Sequence, residues 1–247
     1  MKYKDYSQDI WTRLHSTLDE VLKSDSHPVA AFDADGTLWD IDLGESFFHH
    51  QIDNKLVQLP NNPWEHYETL KAANPVEAYL WLAQICQSQE LKTVHEWAKD
   101  SLKGISPVPV FSEQKKLIEL FLSRGVQVYI ITASVKWAVE PGAALLGLKY
   151  EDVLGVETIQ INGVITEQQK GTVTYKQGKV DALLERTGGK KPFFASGNTM
   201  GDFQLLQSAT HLSLAVSAAS RDDKLFKTEA ELAQHAQSSG WLSHRFI

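Results

Sequence analysis

The stretch VAAFDADGTLWD, residues 29–40, places Asp33 and Asp35 one residue apart behind an apolar run. Two carboxylates brought to one strand end repel each other and shift each other's proton affinity, a cost that points to a cation or a reaction that uses it. Three later stretches end in residues of matching chemistry: Thr132 closes VQVYIIT, Lys176 or Lys179 lies in YKQGKVD, and Asn198 and Asp202 lie in SGNTMGD. Two carboxylates, a hydroxyl, an ammonium, an amide and a further carboxylate suit one task well, the metal-assisted transfer of a phosphoryl group.

Those residues work together only if the chain brings them to one place. Short apolar runs at 29–32, 126–132, 192–196 and 211–216 alternate with helical patterns, which predicts an α/β protein with strands buried on both faces of a parallel sheet. In such sheets ligands bind beyond the carboxyl ends of the strands, so Asp33, Asp35, Thr132 and Asn198 are expected in one crevice. The first two runs are separated by about 90 residues of helical periodicity, far more than one crossover helix needs. The prediction is a core of residues 1–42 and 109–247 with a helical cap inserted at 43–108, its exit near LGES (43–46) and its return near SPVPVF (106–111). The pair Asn162-Gly163 between alternating apolar residues predicts a hairpin on a type I′ turn.

Composition narrows the partners. The 247 residues carry 24 Lys+Arg against 31 Asp+Glu, a formal charge of −7, with no dense basic run, which argues against a nucleic acid or an anionic membrane. A small phosphorylated metabolite is the expected partner. The single cysteine, Cys86, has no partner within the chain. The N-terminal stretch mixes charges and has an amphipathic helical spacing rather than an apolar leader core, so the expected compartment is the cytoplasm. The sequence carries no signal of oligomeric state.

DADGTLW, VYIITAS, GKVDALL and GNTMGD stand in the order of the four motifs of the haloacid dehalogenase (HAD) superfamily. With a cap between the first two motifs, the chain resembles the helical-cap subgroup of phosphoserine phosphatase and phosphorylcholine-phosphatase-like enzymes. The resemblance implies a Rossmann-like parallel core and a Mg²⁺-dependent phosphatase. Asp33 would be the nucleophile that forms an aspartyl phosphate, and Asp35 the general acid and then base. Thr132 and the Ala133 amide would hold a phosphoryl oxygen at the head of a helix beginning near Ser134, and Lys179, favoured over Lys176, would offset negative charge. Mg²⁺ would be held by Asp33, the Asp35 main-chain carbonyl and Asn198 or Asp202. The subgroup has an acid where this chain has Asn198, which leaves open which of those two meets the metal. A phosphotransferase or phosphomutase on the same intermediate, and a non-catalytic receptor for phosphorylated ligands, are the alternatives.

The cap bears on substrate. Residues 43–108 contain no arginine, five lysines and eight acids. Phosphoserine phosphatases use a cap arginine on the substrate carboxylate, so phosphoserine is disfavoured. Asp42 and Glu45 are candidates to hold a substrate ammonium, with Trp39 and the cap aromatics supplying cation–π faces. Phosphocholine and phosphoethanolamine would fit such a pocket, while aromatics at helical spacing also pack a cap against itself.

Overall fold

The computed structural model describes residues 3–247. VAAF forms strand β1 (Val29–Phe32), buried at every position, between β2 (Gln127–Val135) and β5 (Phe194–Gly197). Four consecutive apolar residues satisfy a strand covered on both faces, and helices cover those faces. The sheet runs β4-β3-β2-β1-β5-β6-β7, with β3 (Val153–Ile161), β4 (Val164–Lys170), β6 (Leu212–Ser217) and β7 (Leu242–Arg245). All pairs are parallel except β3 with β4. That hairpin turns on Asn162 and Gly163, with φ of 52° and 80°, the backbone a type I′ turn requires. Among the described residues no helix is long and apolar enough to cross a membrane.

Register puts the chemistry at one edge. Phe32 pairs with Ile130 on one side and Ser196 on the other, so the residues just beyond, Asp33, Thr132 and Asn198, emerge side by side. Helix α1 (Gln8–Val21) buries Ile10, Leu14, Leu18 and Val21 in the principal core, as its spacing predicts.

Helices α2 (Leu43–Asp53), α3 (Pro63–Ala73), α4 (Pro75–Gln84) and α5 (Leu91–Gly104) fill the segment between the first two motifs. Their apolar faces do not close on themselves. Phe47, Phe48, Tyr67, Leu82 and Val94 share one cluster with Val135, Trp137, Val156, Ile165 and Val173. A group of short helices of this kind has little interior of its own, and the β3–β4 hairpin supplies part of the missing floor. Ser88 N donates to Ile165 O and Leu91 N to Gly163 O, at 2.8 and 2.9 Å.

Two local expectations are corrected. LGES is already the first turn of α2, because Asp42 caps the helix by accepting from Glu45 N at 2.7 Å. The chain ahead of α2, Leu38–Ile41, is tied to residues 109–111 by Asp40 N to Pro109 O and Phe111 N to Leu38 O. The helix expected near Ser134 begins two residues later: β2 continues through a register shift to Val135, and α7 spans Lys136–Ala144. The β-branched Ile130, Ile131 and Thr132 favour extension, and β3 offers a neighbour that prolongs it.

Candidate active site

The carboxylate of Asp33 is buried at the end of β1. Its Oδ1 accepts from Lys179 Nζ at 2.5 Å and its Oδ2 from Thr37 Oγ1 at 2.8 Å. Lys179 lies in the first turn of helix α8 (Gln177–Arg186) and also donates to Asp202 Oδ1, at 2.6 Å. One buried ammonium is thus held between two carboxylates. Burial alone would lower the lysine's proton affinity, but Asp202 and Asp33 outweigh it and push its pKa up. Lys176 stands before the helix with φ of 51°, its ammonium over the Tyr175 ring.

Asp33 is pushed up to about 7, first by burial and then by Asp202, with Lys179 opposing. Burial also raises Asp35, against the hydrogen bonds that its carboxylate accepts. Those bonds are asymmetric. Oδ1 receives Trp39 Nε1–H at 2.8 Å and Leu43 N–H at 2.9 Å, groups that only donate. Oδ2 meets Ser134 Oγ at 2.7 Å, a hydroxyl that both donates and accepts. A proton on Asp35 therefore belongs on Oδ2.

The turn after Asp35 needs Gly36, whose φ is +78°. A Cβ there would also lie 2.1 Å from Asn198 Nδ2, so the bare backbone lets the amide close over the turn. Asn198 Oδ1 lies 3.3 Å from Thr37 Oγ1, the hydroxyl that also reaches Asp33. Asp202 is committed elsewhere: Oδ1 to Lys179, and Oδ2 to the main-chain N–H of Asn198 and Thr199 and to Thr199 Oγ1. In the fourth motif Asn198 thus turns its oxygen toward Thr37, the residue that also holds Asp33, while Asp202 anchors the lysine.

Among the described residues no group of three His, Cys, Asp or Glu side chains converges as a metal cage. The donor set is of another kind. Asp33 and Asp202 against the one charge of Lys179 leave a surplus negative charge beside an amide oxygen and main-chain carbonyls. Such hard oxygen donors, few in number, fit Mg²⁺, which keeps several waters and takes its remaining ligands from one or two carboxylates and a phosphate.

These groups line a cleft of about 350 Å³ together with Thr132, Ala133 and Ser134. Thr132 is buried, its Oγ1 accepting from Ser134 N at 3.0 Å, so its own proton is free for an incoming oxygen. The cap side of the cleft carries Asp42, Glu45, Tyr67, Lys71 and Tyr79. Glu45 is already engaged, by Lys71 at 2.7 Å and by Lys224 at 3.1 Å. Lys71 in turn stands 5.1 Å from the centre of the Tyr67 ring and 5.9 Å from that of Tyr79. Both features expected to receive a substrate ammonium, an acid and aromatic faces, are occupied by the chain's own lysine. Asp42 spends one oxygen capping α2, and burial with the nearby Asp35 and Glu45 pushes its pKa well up. Trp39 is fully buried and does not reach the cleft, because its indole N–H is drawn inward to Asp35.

Four participants were not singled out from sequence. Thr37 and Ser134 sit inside the quoted motifs, where a lone hydroxyl carries no signal of its own. Lys71 and Lys224 lie far apart in the chain, in unremarkable helical and loop contexts.

The profile of the haloacid dehalogenase-like hydrolases matches residues 30–207. Phosphorylcholine phosphatase of Pseudomonas aeruginosa is 25% identical over 192 residues, which are 62% of this chain and 55% of that protein. The chain thus spans about half the length of that curated relative. A structure of a functionally unknown protein from Anaerococcus prevotii aligns with a TM-score of 0.73 at 13% identity, covering 98% of this chain and 95% of that one. A phosphoserine phosphatase carrying a phospho-aspartyl intermediate analogue aligns with a TM-score of 0.51 at 16% identity, over 78% and 87% of the two chains. At these identities the two structures speak to the fold alone.

Proposed function

The chain belongs to the haloacid dehalogenase-like hydrolase family, and from that premise we propose that it is a Mg²⁺-dependent phosphomonoesterase acting through an aspartyl phosphate on Asp33. The observation that carries the reading is the buried Asp33–Lys179–Asp202 array beside a second acid, Asp35, whose proton-bearing oxygen faces the cleft residue Ser134.

The chemistry follows from the groups present. An Asp33 oxygen attacks phosphorus while the bond to the leaving oxygen breaks, and Asp35 Oδ2 gives that oxygen its proton. Asp35, now a carboxylate, takes a proton from the water that next attacks phosphorus. The acyl phosphate bond breaks, inorganic phosphate leaves and Asp33 is restored. Thr132 Oγ1–H and the Ala133 amide face the transferred group, and Lys179 offsets its charge. Asp33, Asn198 Oδ1 and the Asp35 carbonyl would hold Mg²⁺, which when bound withdraws charge from between nucleophile and phosphate.

Helices α2–α5, within residues 43–108, act as the substrate-selecting cap in this reading. Glu45 is shared by two lysines, one of which also covers the Tyr67 and Tyr79 rings, so neither this acid nor these aromatic faces is left for a substrate ammonium. The substrate is accordingly a small phosphomonoester with a neutral or anionic leaving group rather than a quaternary ammonium. Phosphate release from p-nitrophenyl phosphate and a panel of small phosphomonoesters, with Mg²⁺ or with EDTA, tests both points. Mg²⁺-dependent release that favours neutral or anionic members over phosphocholine is expected. Release that persists in EDTA contradicts the metal dependence, and a preference for phosphocholine contradicts the cap reading.

A further inference from the structure

Glu229 lies in helix α10 (Phe226–Ser239), 31 positions beyond Asn198, and is only 2% exposed. Its carboxylate has no cation at hydrogen-bond distance among the described residues. Instead Oε2 accepts from Ala218 N at 3.1 Å and Ala219 N at 2.9 Å, and Oε1 accepts from Asn198 Nδ2 at 3.1 Å. The neighbouring Thr228 holds the same loop, accepting from Met200 N at 3.0 Å. Two successive residues of one helix therefore grip the fourth motif from behind.

A carboxylate can only accept, so the face of the Asn198 amide turned to Glu229 must be its NH₂. The other face, Oδ1, is then turned toward Thr37 and Asp33. An amide left to itself has no such preference, since its two ends are nearly alike in shape. We propose that Glu229 is a positioning residue that fixes the Asn198 amide with its oxygen toward the metal, and that Asn198 and Glu229 form a matched pair standing in for the acid usual at this motif. The proposal rests on the metal reading of the site given above. An aspartate at 198 would set two buried carboxylates against each other with no proton donor between them, and the amide avoids that repulsion while keeping an oxygen ligand. The negative charge is moved one residue back rather than lost.

Swapping the two residues' chemistry tests this. In Glu229→Gln the side-chain oxygen stays with the two main-chain N–H groups, so its NH₂ meets the NH₂ of Asn198. The amide must turn over, presenting a donor where an oxygen ligand is needed. Calorimetric titration with Mg²⁺ alone is expected to give about 10–100-fold weaker binding, the usual cost of losing an outer partner of a ligand. Asn198→Asp alone is expected to lower the melting temperature in EDTA. The double variant Asn198→Asp/Glu229→Gln is expected to recover both, because the Gln NH₂ donates to the new carboxylate and leaves its second oxygen for Mg²⁺.

Mg²⁺ affinity in Glu229→Gln within twofold of the wild type overturns the positioning role. A melting temperature in Asn198→Asp that is unchanged, or is not rescued by the second substitution, overturns the pairing. Neither measurement uses a substrate, so wild-type protein that binds Mg²⁺ without releasing phosphate refutes the phosphatase reading and leaves the pair standing. Wild-type protein that does not bind Mg²⁺ overturns the metal reading and the positioning role together.

Discussion

The floor and the mouth of the cleft are built from the same residue types with opposite consequences. On the floor, Asp33, Lys179 and Asp202 are each 6% exposed or less and are joined by 2.5 and 2.6 Å contacts. At the mouth, Glu45 is bridged to Lys71 and to Lys224, whose side chain is 60% exposed. A buried array cannot lose one member without stranding the others in a medium that solvates them poorly, a cost of about 3–5 kcal/mol. The exposed Lys224 contact loses little, since water replaces the partner. The floor is therefore fixed chemistry, and the mouth can be retuned to another substrate.

Substitutions sharpen that contrast in order of effect. Asp33→Asn removes the proposed nucleophile and is expected to reduce phosphate release by at least about 10³-fold, the range lost with a covalent catalyst. Asp35→Asn keeps the shape but holds no transferable proton, and a loss of about 10²–10⁴-fold is expected with alkyl phosphates. That loss shrinks for p-nitrophenyl phosphate in the step that expels the leaving group, because p-nitrophenolate needs no proton. Lys179→Met is expected to cost about 10²–10³-fold in kcat and to lower the melting temperature, since Asp33 and Asp202 then face each other unpaired. Lys224→Ala at the mouth is expected to change kcat by less than about twofold and to act through KM, an effect that added salt diminishes.

The acid–base balance of the floor also has a signature in stability. Burial lifts Asp33 to about 7, above the roughly 3.9 of an exposed aspartate. Between those values the folded state binds more protons than the unfolded chain, so stability falls as pH rises through that window. Metal-free wild-type protein is expected to melt at progressively lower temperature from pH 5 to pH 7. Asp33→Asn is expected to flatten part of that slope, although it is the most damaging substitution for turnover. A slope of opposite sign, or one unchanged in the variant, would show that the floor stores no such cost.

The same contrast governs what the sequence made legible. VAAF, the later apolar runs and Asn162-Gly163 announce themselves because strand burial and turn geometry are local demands on consecutive residues. Asp33, Asp35, Thr132 and Asn198 are readable as strand-end residues, and the sheet register brings the ends of β1, β2 and β5 side by side. The mouth was not readable. Nothing local to Glu45 indicates that Lys71, one helix away, and Lys224, past the end of β6, fold onto it. The identity of Trp39 says nothing about which way its N–H is drawn, and the structure draws it inward to Asp35. The end of β2 was placed three residues early, at Thr132 rather than Val135, since a register shift depends on the neighbouring strand. Glu229 left no trace, being one acid on an amphipathic helix.

The central claim is the covalent step on Asp33, and pre-steady-state reaction of Asp35→Asn with p-nitrophenyl phosphate and Mg²⁺ tests it most directly. That variant can still form the acyl phosphate with a good leaving group, but it lacks the base that activates water. One equivalent of p-nitrophenolate per site should appear in a burst, followed by slow turnover, and the burst should vanish when Asp33→Asn is added. A linear time course without a burst, or a burst that survives Asp33→Asn, would contradict it.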